Sequence, residues 1–133
     1  MSLIVDASVA VKWFSEELGS TEAEALLASD EDLLAPDLIL AEIGNALWKK
    51  ARRSLLDPRQ AVEGTTNAPG YFDRLLPPEE LATRAIEIAL AVRHPIYDCF
   101  YIALAQHENA TLVTADERQL AAARTAKVKV RRL

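Results

Sequence analysis

The sequence predicts an α/β fold: a parallel sheet of four to five strands flanked by helices, in one domain over residues 1–133. Short apolar runs alternate with amphipathic helical stretches along the whole chain, which is the rhythm of βαβ units. The first run, Ser2–Val5, is apolar without alternation, as a strand covered by helices on both faces must be. It stops on a carboxylate, Asp6, at the end where open parallel sheets gather their ligands. With half of its 133 residues apolar, the chain can bury a core without staples. Its single cysteine, Cys99, forms no internal disulfide and stands in no Cys/His cluster of the zinc kind. No run nears the ~20 apolar residues that span a bilayer, and no basic leader precedes the first strand. A protein of a reducing cytoplasm is expected.

Taken in order, a short helix is expected over Ala7–Phe14, then a break at Glu16–Gly19. Thr21-x-x-Glu24 has the form of a capping box and predicts a helix over Glu22–Ser29, with Ala23, Leu26 and Leu27 inward. A brief strand, Leu33–Ala35, is ended by Pro36, whose ring disfavours helix before it and suits a helix start after it. The helix from Asp37 to Arg53 carries apolar residues around most of its circumference and leaves Glu42, Asn45, Lys49 and Arg52/Arg53 as one polar stripe. It should be buried on more than one side, against the sheet and a partner subunit.

Asp57 and Pro58 supply the cap and first turn of the next helix. Gly64–Gly70, rich in Thr, Asn, Pro and Gly, reads as a weak helix end and a loop. Tyr71–Leu76 reads as an edge strand. Pro77-Pro78-Glu79-Glu80 opens an amphipathic helix that ends near Arg93, before His94-Pro95. A helix over Ile96–Ala105 has Asp98 in its first turn. The chain closes with a strand at Thr111–Thr114, a helix over Glu117–Arg124 and a short strand near Val128–Val130.

The net charge of −5 argues at first against a polyanionic partner, but the charge is unevenly spread. Met1–Glu42 holds ten acids and one base, whereas Arg124–Leu133 holds five bases and no acid. Lys49, Lys50, Arg52 and Arg53 form a second basic cluster, so a polyanion has somewhere to sit.

Asp6 ends the first strand and Asp116 follows a later one, so parallel pairing sets both on the same sheet edge. Asp98 opens a helix after a turn, and Glu42 lies just inside a helix that begins at that edge, with Asn45 one turn on. Capping accounts for each acid singly. It does not account for four in one crevice, where like charges raise pKa values and destabilise the fold unless a cation neutralises them. Mg²⁺ or Mn²⁺ takes oxygen ligands and needs only one or two carboxylates directly, and such a site suits phosphodiester hydrolysis by an activated water. His94 and His107 read as surface or packing residues, so no Ser/His/Asp set competes.

Ile4-Val5-Asp6-Ala7-Ser8, Ala35-Pro36 with Glu42-x-x-Asn45, Tyr97-Asp98-x-x-Tyr101-x-Ala103-Leu104-Ala105, and Leu112-Val113-Thr114-Ala115-Asp116 resemble, in order and spacing, the PIN-domain nucleases. Size and coverage are similar to the VapC-type toxins of bacterial and archaeal toxin–antitoxin pairs. The resemblance implies a flavodoxin-like parallel sheet and Mg²⁺- or Mn²⁺-dependent endoribonuclease activity that leaves a 5′-phosphate and a 3′-hydroxyl. It implies that Asp6, Glu42, Asp98 and Asp116 form the acidic site. Asp6 and Asp98, then Asp116, would contact the metal, and Glu42 would act through water or as a general base. Ser8, Asn45 and Thr114 match supporting polar positions. A homodimer is implied too, as is a VapB-type antitoxin that lies across the toxin and can push a basic side chain into the acidic pocket. The alternatives are a catalytically silent PIN module used for binding, against which the four acids speak, and a receiver-like phosphoacceptor domain. The latter should show an acidic pair before its phosphorylated strand and a late lysine, and this chain has neither.

Overall fold

In the computed structural model, which describes residues 1–133, five strands form one all-parallel sheet. They are β1 (Ser2–Val5), β2 (Asp32–Pro36), β3 (Arg74–Leu76), β4 (Thr111–Thr114) and β5 (Val130–Arg132), in the spatial order β3-β2-β1-β4-β5. β1 lies at the centre, with Leu3 registered on Leu33 of β2 and on Thr111 of β4. Buried on both faces, Leu3, Ile4 and Val5 explain why this strand is apolar without alternation. From β1 the chain winds outward through β2 to β3, then returns to build β4 and β5 on the other side. The order reverses between β1 and β4, rather than between the first and third strands as in the flavodoxin order, and a crevice opens outside the strand ends at that switch point.

Seven helices flank the sheet: α1 (Ala7–Ala10), α2 (Ser20–Leu27), α3 (Ile39–Arg52), α4 (Pro58–Asn67), α5 (Ala82–Val92), α6 (Ile96–Glu108) and α7 (Glu117–Thr125). The helix enclosed on every side is α6, buried through the unbroken run Cys99–Ala105 and packed on β1, β2, β4 and α5. The apolar pattern of the sequence points to α3 for that position. Instead α3 buries one stripe, Ile39, Ile43 and Leu47, and packs on α4 and α1 more than on the sheet, while Trp48 stays 55% exposed. Four-residue spacing gives a single apolar stripe, and the remaining apolar residues only flank it.

Several boundaries also move. The Gly64–Gly70 stretch is helical: α4 runs through Asn67 and a 3₁₀ turn continues over Ala68–Tyr71. Gly64 is there for space, since a Cβ on it would stand 2.9 Å from Leu47 Cδ1 and 3.2 Å from Phe14 Cβ. Thr65 and Thr66 donate their hydroxyls to the carbonyls of Ala61 and Val62 one turn back. The Thr21 capping box does not form, because α2 starts earlier, at Ser20, behind Gly19 in the left-handed region at φ 91°. Asp57 and Gln60 make the complete box instead, around Pro58. The helix expected from Ala7 to Phe14 is α1 followed by a 3₁₀ turn, Val11–Trp13. The edge strand β3 keeps only Arg74–Leu76, and β5 lies two residues later than the apolar pattern places it.

Candidate active site

Asp6 sits where β1 ends, at the switch point, and is 6% exposed. It caps α1 by accepting the Ser8 N–H at 3.0 Å. Its Oδ1 also accepts the Ser8 hydroxyl at 2.5 Å, and its Oδ2 accepts the hydroxyl of Thr114, the last residue of β4, at 2.5 Å. Backbone N–H groups fix both hydroxyls in this sense. Ala115 N–H donates to Ser8 Oγ at 2.9 Å and Asp116 N–H to Thr114 Oγ1 at 3.0 Å, so each oxygen accepts from the loop and spends its own proton on Asp6. Three donors would ordinarily stabilise the anion. Burial outweighs them, and with repulsion from Asp98 it pushes the Asp6 carboxyl up to about 6.

Glu42, half-buried in the first turns of α3, accepts the Tyr101 hydroxyl from α6 at 2.6 Å. Burial raises its carboxyl above the ordinary range, and the charges of Asp98 and Asp6 add to the rise against the Tyr101 bond. The Tyr101 hydroxyl, buried beside these acids, is held well above its usual range and therefore stays a donor. Asp98, in the first turn of α6, has Oδ2 at 2.8 Å from His94 Nε2, and its backbone carbonyl accepts Gln119 Nε2 at 2.9 Å.

Asp6, Glu42 and Asp98 are thus brought within electrostatic reach of one another. Asp116 stands at the rim. It is exposed and caps α7, accepting the N–H groups of Arg118 at 2.8 Å and Gln119 at 3.4 Å, and its charge is not among those that raise Asp6 or Glu42. The spacing Asp116-x-x-Gln119 has the form of a capping box, but only half of it is made, because the Gln119 side chain is drawn across to Asp98 instead. Ser8 and Thr114 bond directly to Asp6, while Asn45 is exposed one turn beyond Glu42. Three contributors escape sequence reasoning: Tyr101, Gln119 and His94, whose side chain is 9% exposed and bonded to an acid rather than merely packed. The available signals are spacings: His94 stands four residues before Asp98, in the turn that precedes α6, and Tyr101, part of the motif quoted above, stands three after it on the same face of α6.

A sequence profile of the PIN domain matches residues 3–125. The chain belongs to the PIN-domain family. It is 35% identical over 123 residues to Ribonuclease VapC3 of Pyrobaculum aerophilum, across 91% of this chain and 93% of that protein. The crystal structure of PAE2754 from Pyrobaculum aerophilum superposes with a TM-score of 0.70 at 26% identity, covering 92% of this chain and 79% of that one. VapBC2 from Rickettsia felis, bound to a DNA fragment from its promoter, shares the fold with a TM-score of 0.73 at 15% identity, over 100% of this chain and 99% of that one.

In this PIN domain the acids at the crevice offer carboxylate oxygens with little compensating charge: neither Asp6 nor Glu42 has a cationic partner, and Asp98 has only His94. No three of these side chains are arranged to hold one ion. A hard divalent cation needs only one or two carboxylates and keeps water for the rest, so Asp6 with Asp98 fits such an ion. The main apolar groove lies elsewhere, between α3 and α4, lined by Trp48, Ala61, Val62 and Thr65, and none of the acids borders it.

Proposed function

We propose that this PIN domain, acting as one unit over residues 1–133, is a metal-dependent endoribonuclease toxin that hydrolyses RNA phosphodiester bonds. The observation that carries the reading is Asp6, bonded across the switch point to Ser8 and Thr114 with Asp98 and Glu42 beside it. Similarity to Ribonuclease VapC3 supports RNA as the substrate, and a VapB-type antitoxin as partner and a cytoplasmic homodimer are part of the same proposal. Lys49 and Arg53 make no ion pair and continue the line of Glu42 along α3, a basic track suited to the phosphates that flank the scissile bond.

Asp6 and Asp98 would hold the metal, with Asp116 at the rim beside them. Bound there, Mg²⁺ or Mn²⁺ supplies a Lewis acid for the phosphate and makes a water acidic enough to attack it. Ser8 and Thr114 keep the Asp6 oxygens oriented. Glu42, with its raised proton affinity and its Oε1 held by Tyr101, takes the proton of the attacking water, as a general base whose pKa lies nearer neutrality than an ordinary carboxylate's can. The water oxygen joins phosphorus, the P–O3′ bond breaks, and the 3′ oxygen takes a proton from solvent to leave as a hydroxyl while Glu42 gives its own back to solvent.

The test is cleavage of RNA by purified protein with Mg²⁺ or Mn²⁺, beside Asp6→Asn and Asp98→Asn. Cleavage by the native chain and loss in both variants is expected. Activity that survives both substitutions refutes the assignment of the site, and an inactive native chain leaves the silent binding module as the better reading.

A further inference from the structure

We propose that His94 is a positioning residue for Asp98: it fixes the orientation of that carboxylate at the metal-binding edge, and the inference rests on the nuclease reading above. Asp98 lies half-buried in the first turn of α6, where a short side chain has more than one rotamer open to it unless something holds it. His94 supplies the hold with Nε2 at 2.8 Å from Oδ2, and no protein group bonds Oδ1. A carboxylate only accepts, so the bond puts a proton on Nε2.

The ring is itself aimed by a rigid frame. Arg93, left-handed at φ 55°, reverses the chain at the end of α5, and the His94 N–H closes that helix on the Ala89 carbonyl at 3.3 Å. Pro95 fixes the next residue, and the His94 carbonyl accepts the Cys99 thiol from within α6. From the other side Gln119 anchors the Asp98 backbone carbonyl, so Asp98 is gripped at both its main chain and its side chain. A helix-capping role would direct the ring to a free N–H of the first turn. Here it is directed to the acid whose charge acts on Asp6 and Glu42. Partners of this kind, which orient a ligating group without touching the ion, change metal affinity by about 10–100-fold when removed.

The experiment uses the full chain and three variants. His94→Met fills the space without a donor. His94→Gln places an amide N–H where Nε2 was, and His94→Asn places one where Nδ1 was, short of Asp98. Mn²⁺ binding without RNA is followed by calorimetry, then kcat and KM on RNA, then Tm in chelator. The Met and Asn variants should each bind Mn²⁺ about 10–100-fold more weakly and lose kcat to a similar degree, with KM within about threefold, while Gln restores both. A structural role alone would lower the chelator Tm and leave Mn²⁺ affinity untouched. Native affinity and kcat in whichever of the Met and Asn variants folds, or a Gln variant as impaired as they are, overturns the inference. A native chain that takes up no Mn²⁺ and cuts no RNA instead removes the nuclease reading, and this inference with it.

Discussion

Asp6→Asn should make the metal-free protein more stable at neutral pH even though it removes the residue at the centre of the proposed chemistry. Asp6 is buried, has no cationic partner and titrates at about 6 rather than the ordinary 3.8, chiefly because burial disfavours its anion. The folded chain therefore keeps this proton over a range where the unfolded chain has released it. The stability this protonation contributes is whole below pH 3.8 and is lost as pH rises through about 6. At roughly 1.4 kcal/mol per pH unit, ionising the buried group costs about 3 kcal/mol at pH 7.5. The amide avoids that cost but turns N–H atoms toward the Thr114 hydroxyl and spoils one hydrogen bond, which returns about 1 kcal/mol. A net gain of about 2 kcal/mol, or roughly 5–10 °C in Tm for a chain of this size, is expected. Urea unfolding of both proteins in chelator from pH 4 to 8 measures it. The native curve should fall relative to the variant's between pH 4 and 6. Saturating Mn²⁺ should then reverse the ranking at pH 7.5, since ligand at 100 times Kd adds about 2.7 kcal/mol only to the protein that binds it. Parallel stability curves in chelator, or a variant less stable at pH 7.5, would refute the electrostatic account of Asp6.

Three further perturbations test other parts of the structure. Gly64→Ala gains helix propensity but drives a methyl into Leu47 and Phe14, so urea unfolding should show a net loss of about 1–2 kcal/mol, and a more stable variant would show that the α3–α4 packing has slack. Tyr101→Phe removes the bond that holds Glu42's carboxyl down, so the acid limb of the activity–pH profile should move to higher pH while kcat falls about tenfold; an unmoved limb would rule Glu42 out as the base. Lys49→Ala with Arg53→Ala should raise KM for RNA with little change in kcat. It should also flatten the dependence of log K on log salt by about 1.4, at roughly 0.7 for each phosphate that is no longer neutralised, and an unchanged slope would remove α3 from the RNA path.

What the sequence makes legible is whatever depends on one element alone. β1 and β4 are continuous apolar runs ended by polar residues, so their place in a covered parallel sheet, and the position of Asp6 and Thr114 at its edge, can be read directly. β5 is misplaced by its pattern because an edge strand made of Val130, Arg131 and Arg132 offers no apolar signature. At Gly64–Gly70 glycine reads as a breaker, whereas its absent side chain is what helix packing requires. The depth of α6 against α3 is hidden for a related reason. Both carry many apolar residues, and only the sheet decides which one is enclosed. In the site, Tyr101, His94 and Gln119 gain their roles from neighbours on other elements or across a turn, and Gln119 poses as half of a capping box until α6 comes within its reach.

The Thr114 hydroxyl reaches Asp6 across 108 positions of the chain, and Ala115 closes on Ser8 over a similar span. During synthesis the first strand leaves the ribosome 108 residues ahead of the hydroxyl that orders its carboxylate. A growing chain therefore carries the Asp6 carboxylate without this bond until β4 has emerged. The hydrogen-bonded cradle around Asp6 thus closes only when both halves of the sheet are present.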